Sequence, residues 1–257
     1  MFASTPISLL RKIILGTNLA SPPALALTGF ANPWTIAAAS LAHTAFAMSI
    51  MRPGCSWFGP VVTRFLPRGR EVWLTIDDGP IPTETERLAE ELRVLGARAT
   101  FFLVGRKLEA NPAIARQLLA AGHSVANHTQ THPAATFWAL PPARLSAEID
   151  DYNAALDQAG IPAPRWFRSP VGLKHTRLHP LLASRGMRLI AWSIRSGDSF
   201  ATSPESVVRK VAAAVRPGAI ILLHEGRPRS RETILAVATE LQRQGFSCVI
   251  PDDSQLR

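Results

Sequence analysis

From Glu71 onward the chain alternates short, apolar, β-rich runs with amphipathic stretches, and this alternation narrows the choice of fold more than any other feature. Strands are predicted at residues 72–76, 99–104, 124–126, 166–168, 189–194, 219–223 and 247–250. Between them, apolar residues at helical spacing predict helices at 83–95, 112–121, 142–159, 175–184, 204–215 and 231–244. Gly96, Gly122, Gly160, Gly186 and Gly245 stand where helices would stop. Strand–helix units repeated six or seven times build an α/β parallel sheet, since parallel neighbours need a crossover and helices supply it. The expected sheet closes as a barrel; an open doubly wound sheet is the competing arrangement.

In either arrangement, active sites form at the C-terminal ends of the strands. Asp77 and Asp78 end the first run, in Leu74-Thr75-Ile76-Asp77-Asp78-Gly79-Pro80. Adjacent carboxylates repel unless a cation or a shared proton compensates. About fifty residues on, Asn127-His128-Thr129-Gln130-Thr131-His132-Pro133 offers two imidazoles four apart, the natural companions of a carboxylate in a His-His-Asp site for a divalent ion. Asp-Asp-Gly-Pro alone also makes an ordinary turn, and two histidines alone also serve surfaces or cores. Their joint placement at strand ends favours the metal. One aspartate would then bind the ion and leave the other free for chemistry. Arg168 follows the fourth run, Asp198 the fifth and His224 the sixth. A buried arginine needs a carboxylate partner, and Asp77 is the obvious one. His224 titrates ordinarily at about 6.5, which suits proton donation to a leaving group. His123, His175 and His179 show no such convergence and read as structural or exposed; Gly105 reads as a turn residue without chemistry.

Composition shifts near residue 70. Before it, the stretches 13–30 and 33–51 are almost free of charge, and each is about 18 residues, the lower limit for a bilayer-spanning helix. Arg11 and Lys12 precede the first; Arg52, Arg64, Arg68 and Arg70 follow the second. By the positive-inside rule this suits a hairpin anchor over residues 7–52 with the downstream domain, residues 71–257, on the cytoplasmic side. A secretory signal, a monotopic anchor and a helical pair packed on the domain are the alternatives, so export stays open. The net charge of +9 favours an anionic surface or ligand, and the scattered arginines with little aromatic interleaving argue against nucleic acid. Cys55 and Cys248 lie too far apart in a chain without a CxxC motif to imply a disulfide framework or a cysteine-ligated zinc.

Taken in order, Thr75-Ile76-Asp77-Asp78-Gly79-Pro80, Ala99-Thr100-Phe101-Phe102, Asn127-His128 through His132, Phe167-Arg168-Ser169-Pro170 and Ile221-Leu222-Leu223-His224 resemble the polysaccharide deacetylase family with NodB homology, carbohydrate esterase family four. The resemblance covers roughly 70 percent of the chain, residues 71–250. It implies a distorted (β/α) barrel of about seven strands, a divalent metal ion, most often zinc, and removal of an N-acetyl group from an amino sugar. Asp77 matches the general base, Asp78, His128 and His132 the metal ligands, His224 the general acid, and Arg168 the arginine that holds the base. Val171 stands where the family often has tyrosine, with its backbone N–H directed to the oxyanion, and Leu222 matches a leucine lining the acetyl pocket.

Two departures from the family pattern carry expectations of their own. The fourth motif usually reads Asp-x-x-Asp-Trp; here it is Arg195-Ser196-Gly197-Asp198-Ser199. Either Asp198 orients His224 by itself, or the pKa of His224 is less elevated than usual and the pH optimum shifts. The apolar N-terminal region is the second departure, and it suits a lipid-linked or membrane-embedded amino sugar better than an extracellular polymer. Deformylation of a glycolipid, and an inactive sugar- or lipid-binding relative, are the competing functions.

Overall fold

The computed structural model describes residues 9–28, 32–201 and 203–256; residues 7, 8 and 29–31 of the expected membrane segment lie outside the described residues. Two helices open the chain, α1 (Leu9–Thr28) and α2 (Pro33–Met51). The following elements alternate: β1 (Glu71–Asp77), α3 (Glu84–Val94), β2 (Ala99–Leu103), α4 (Gly105–Ala110), α5 (Pro112–Ala120), β3 (Ser124–Asn127), α6 (Pro142–Gln158) and β4 (Trp166–Phe167). Then come α7 (Leu178–Ala183), β5 (Arg188–Leu189), β6 (Ile194–Arg195), α8 (Pro204–Ala214), β7 (Ile220–His224), α9 (Ser230–Arg243) and β8 (Ser247–Cys248). Strands run in the order β5-β4-β3-β2-β1-β7-β6, with β8 also on β1, and every ladder is parallel. The sheet curls into a half-barrel, which agrees with the distorted (β/α) barrel that the resemblance implied.

The two ends of that order are consecutive in sequence. Residues 188–195, predicted as one strand core at 189–194, split: Arg188 and Leu189 pair with β4 at one edge, Ile194 and Arg195 with β7 at the other. One continuous run of chain thus joins the two edges of the sheet. Between the two ladders Ile190 donates to the Phe167 carbonyl at 2.9 Å and Ser193 to the Ile220 carbonyl at 3.1 Å. Val62, upstream of the first strand, joins this seam by donating to Leu189 O at 2.9 Å and accepting from Ala191 N at 2.8 Å.

Side chains alternate across each strand, which sorts the core into layers. Val72, Leu74 and Ile76 of β1, with Phe101, Leu103, Ile221 and Leu223, pack outward under α3, α5, α8 and α9. Trp73, Phe102, Ala126, Ile190 and Ile220 fill the barrel interior together with Val62 and Phe65. The same period of two sends Thr75 and Asp77 inward from β1, and Leu222 and His224 inward from β7. Polar atoms in this interior are paired: Trp73 Nε1 donates to Thr100 Oγ1 at 2.7 Å, and Thr75 Oγ1 to the Ile221 carbonyl at 2.7 Å.

The five stop glycines all have positive φ, between 65° and 82°, the left-handed conformation that ends a helix at lowest cost for glycine. Gly105 is different from its expectation. It opens α4 as a helical residue, and a Cβ there would stand 1.8 Å from Gln130 Oε1, so close packing rather than a turn requires it. The helix predicted at 175–184 is shorter, because His175 closes a turn instead, its Nδ1 accepting from Arg177 N at 3.0 Å. His123 is buried between Ala99 N at 3.2 Å and the Ala89 carbonyl at 2.9 Å, a structural histidine.

Helices α1 and α2 pack on each other, with Asn18 Nδ2 donating to the Ala42 carbonyl at 2.9 Å. Asn32 caps α2 by accepting from the Trp34 and Thr35 amides. Ala39, Ala42, Ser49 and Ile50 form its buried side, whereas Trp34, Leu41 and Met48, seven apart, are exposed to 82%, 73% and 46%. Among the described residues α2 alone is long and apolar enough to cross a membrane; α1 carries Pro22 and Pro23 in its interior.

Candidate active site

At the C-terminal end of the barrel, the register sets Asp77 beside His224 on β1 and β7, and Asp77 beside Phe102 on β2. Arg168, which leaves β4, is 1% exposed and reaches across the interior. Its Nη1 donates to Asp77 Oδ1 at 2.6 Å and to Thr75 Oγ1 at 2.9 Å, Nε to the Ile190 carbonyl at 3.3 Å and Nη2 to the Ala191 carbonyl at 3.1 Å. The guanidinium lies over the Phe102 ring, 4.0 Å from its centroid. A buried charge so fully satisfied is held in one orientation, and it occupies one oxygen of Asp77.

Asp78 turns away. Its φ of 72° sends the chain into the Gly79-Pro80 turn, and Lys107 on α4 grips its carbonyl at 2.6 Å. The Asp78 side chain meets His128 Nε2 at 3.5 Å and His132 Nε2 at 3.3 Å, both at Oδ1. His128 donates from Nδ1 to the Arg168 carbonyl at 2.8 Å, which fixes the tautomer and leaves Nε2 as a lone pair. Burial, aided by the neighbouring His128, pushes His132 down to about 4, so its imidazole is neutral at physiological pH. Burial opposes the charge of Asp78, but the contacts with His128, His132 and His224 outweigh it and hold the carboxyl well below the usual range. The Asp78 carboxylate and the ring nitrogens of His128 and His132 thus converge, all within 4.8 Å of one another. Acceptors without a donor between them suit a cation, and three protein ligands of this kind suit a catalytic zinc-type ion with an open position.

His224 is fastened by Asp198 from the loop after β6. Asp198 Oδ1 meets His224 Nδ1 at 2.9 Å, and Oδ2 accepts the His224 backbone N–H at 2.6 Å. Ser199 adds its hydroxyl to Nδ1 at 3.3 Å, and Ser196 donates to Asp198 at 2.9 Å. Burial lowers the imidazole pKa; the Asp198 hydrogen bond and the charges of Asp77, Asp198 and Asp78 outweigh burial and raise it. In the altered fourth motif Asp198 is thus the carboxylate in contact with His224, and Ser199 stands beside it at the same ring nitrogen. Arg195 is exposed and stacks toward Phe200, 5.9 Å from its ring centroid.

Leu222 is 2% exposed, one interior layer below His224, and Val171, 57% exposed, lies in the loop after Arg168 with φ 47°. Asp77, Asp78, His128, His132, Arg168, Asp198 and His224 come together at one end of the barrel, and Leu222 lines the interior beneath them.

Several supporting residues had no sequence signal of their own. Glu148 on α6 is buried and accepts from the Thr131 amide at 2.8 Å and hydroxyl at 2.7 Å, shaping the loop between the two histidines. Asn127, already part of the Asn127-His128 motif, shapes the same loop by accepting from Thr129 N at 2.8 Å. Glu225, buried beside the site, accepts from Thr85 Oγ1 at 2.6 Å, and burial raises it to about 7. A Cβ on Gly79 would lie 2.0 Å from its Oε2, which explains the glycine. Arg227 approaches Asp78 Oδ2 at 3.4 Å.

Comparison with known proteins agrees with this geometry. The polysaccharide deacetylase family profile matches residues 67–190. Chitooligosaccharide deacetylase of Bradyrhizobium sp. (strain ANU 289) is 35% identical over 192 residues, 69% of this chain and 87% of that protein. Peptidoglycan-N-acetylglucosamine deacetylase of Bacillus cereus is 32% identical over 181 residues, 68% of this chain and 84% of the relative. Among solved structures, a family 4 carbohydrate esterase from Streptomyces lividans in complex with acetate superposes with a TM-score of 0.66 at 32% identity, over 74% of this chain and 97% of its own. With barrel, paired aspartates, histidines and sequence in agreement, the chain belongs to the polysaccharide deacetylase family, carbohydrate esterase family four.

Proposed function

We propose that the protein is a metal-dependent hydrolase that removes the N-acetyl group from an N-acetylglucosamine-type amino sugar carried at a membrane surface. The division of labour between Asp77 and Asp78 carries this reading: one is held by Arg168, the other faces His128 and His132. Asp78, His128 and His132 would hold the ion, zinc by ligand type, and the bound ion would polarise the amide and lower the pKa of water to about 7.

Asp77 is the base. Arg168 occupies its Oδ1, which leaves Oδ2 to accept the proton of the attacking water. As the water oxygen bonds to the carbonyl carbon, the Val171 N–H serves as a donor to the developing oxyanion. His224 has Nδ1 committed to Asp198, so Nε2 delivers the proton to the nitrogen as the C–N bond breaks. Leu222 forms the apolar wall for the acetyl methyl. The relatives that act on chitooligosaccharide and peptidoglycan support N-acetylglucosamine as the sugar.

The membrane part of the proposal draws on α2. Its most apolar 18-residue stretch has mean hydropathy 1.3 and is 22% buried; at about 1.5 Å per residue the 19-residue helix approaches the roughly 30 Å of a bilayer core. The exposed Trp34, Leu41 and Met48 stripe would face lipid, and the basic residues on either side of the hairpin favour a cytoplasmic catalytic domain. Mass spectrometry of soluble N-acetylglucosamine oligomers and of glycolipid fractions, each incubated with zinc-loaded protein, tests the reaction. Loss of acetyl from either supports it, loss of formyl only would replace it with deformylation, and no change in any fraction would sink it. A C-terminal reporter active only outside the cytoplasm would overturn the orientation.

A further inference from the structure

The chain upstream of the family match reaches the catalytic mouth. Helix α2 ends at Met51, and the turn after it lies against the loop that leaves β4 with Arg168 and Val171. The Ile50 carbonyl accepts the Lys174 backbone N–H at 2.9 Å. The Lys174 side chain, 1% exposed, turns back so that Nζ donates to the Pro53 carbonyl and, at 3.4 Å, to the Gly172 carbonyl. Gly172, at φ 76°, has no space for a side chain: a Cβ would stand 2.6 Å from Pro53 Cγ and 2.8 Å from Trp192 Cη2. Phe46 of α2 meets Phe58 of the segment that follows it edge-on, 5.9 Å between centroids.

The loop needs such support. Val171 is β-branched, and its φ of 47° is one that only an over-determining environment maintains. Arg168 fixes the loop on its upstream side. Downstream, the fixed points are Lys174 and the end of α2. A buried ammonium is expensive unless its donors are satisfied, and this one donates to carbonyls of two segments far apart in sequence, Pro53 and Gly172. Its geometry therefore serves to clamp two pieces of backbone together.

We propose that Lys174 is a positioning residue that fastens the Val171 loop to the end of α2, so that the N-terminal hairpin is part of the support of the catalytic site as well as an anchor. This inference rests on the oxyanion role given to Val171 above. A substitution in the clamp should therefore act on turnover while leaving the ion and the ground-state sugar bound.

The test compares full-length, zinc-loaded wild type with Lys174→Met on a soluble N-acetylglucosamine oligomer. Expected are a fall in kcat of at least tenfold, KM within twofold, unchanged zinc stoichiometry, and amide hydrogen exchange at 171–174 at least tenfold faster with β1 to β3 still protected. Pro53→Gly removes the ring beneath Gly172 from a partly exposed turn, and should give the same pattern at a threefold or larger loss of kcat. It decides the matter if Lys174→Met does not fold. Unchanged loop exchange, faster exchange with kcat within twofold of wild type, or a kcat loss explained by lost zinc would each overturn the proposal. If wild type turns over no N-acetylated sugar, the reaction assignment fails, and unchanged loop exchange in both variants would separately remove the clamp.

Discussion

Asp77 and Asp78 are adjacent carboxylates with opposite requirements. Arg168 keeps Asp77 on the inward side of β1, while the left-handed backbone of Asp78 carries its side chain to the histidines. Asp77→Asn is expected to bind zinc with unchanged stoichiometry in a calorimetric titration, yet lose about 10²–10⁴-fold in kcat, the usual range for a lost general base. It should also unfold more easily, by up to about 3–5 kcal/mol, since Arg168 would be left buried without its counter-charge. His128→Ala, by contrast, should lose the ion together with activity. At His224 the sign of the pKa shift sets a pH effect. Because the folded pKa is raised, the stability contributed by the charged imidazole is complete below about 6.5 and is lost as pH rises through the folded value. A general acid works only while protonated, so Asp198→Asn, which removes the main raising contact, should move the alkaline limb of the kcat/KM profile to lower pH. A limb that stays in place would separate Asp198 from the acid step.

Elements were legible where a local chemical rule applies. Apolar runs of strand length, helical periodicity and stop glycines are each set by nearest neighbours, and strands and helices appear within a residue or two of those expectations, apart from α7, which starts three residues late after the local turn at His175. The other exceptions are long-range. Residues 189–194 look like one strand because all but Ser193 are apolar, but the pairing partners of 188–195, β4 and β7, lie on opposite edges of the sheet and no local pattern encodes that. Helix α4 escaped notice because Gly105 reads as a breaker, and its requirement comes from Gln130 on a different loop. For the site, the first ring of residues stood at strand ends and could be collected by position; Glu148, Lys107 and Glu225 could not, since the first two act through backbone atoms and the third through the Thr85 hydroxyl, all far away in sequence. Glu225 packs the turn after β7 against the turn after β1, and its raised pKa makes that packing pH-sensitive. Between its ordinary 4.5 and about 7 the folded state holds the extra proton, so stability falls as pH rises through that window. Glu225→Gln should therefore be more stable than wild type at pH 8, by an amount of the order of 1–3 kcal/mol, and about equal to it at pH 4, as read from urea midpoints.

Across the whole molecule, charge and apolar surface are concentrated in different places. Eight of the large exposed apolar side chains, Ile13, Leu19, Leu27, Trp34, Ile36, Leu41, Met48 and Met51, belong to the hairpin. With a net charge of +9 on the chain, the protein should float with vesicles containing anionic lipid, and retain part of that binding at high salt, because insertion is less screened than surface attraction. Leu41→Asp, in the middle of the exposed stripe, should abolish flotation while leaving turnover of a soluble oligomer within twofold of wild type. Flotation unaffected by that change would move the lipid contact elsewhere.

The join between the two edges of the sheet divides the site between two parts of the barrel. Asp78, His128 and His132 come from β1 and β3, two strands apart within a single stretch of the sheet. Arg168, in contrast, draws two of its acceptors, Ile190 and Ala191, from the run that joins the edges. A change in that seam would therefore reach the orientation of Asp77 while leaving the strands that carry the ion-facing cluster in register, so the two halves of the chemistry are built to fail separately.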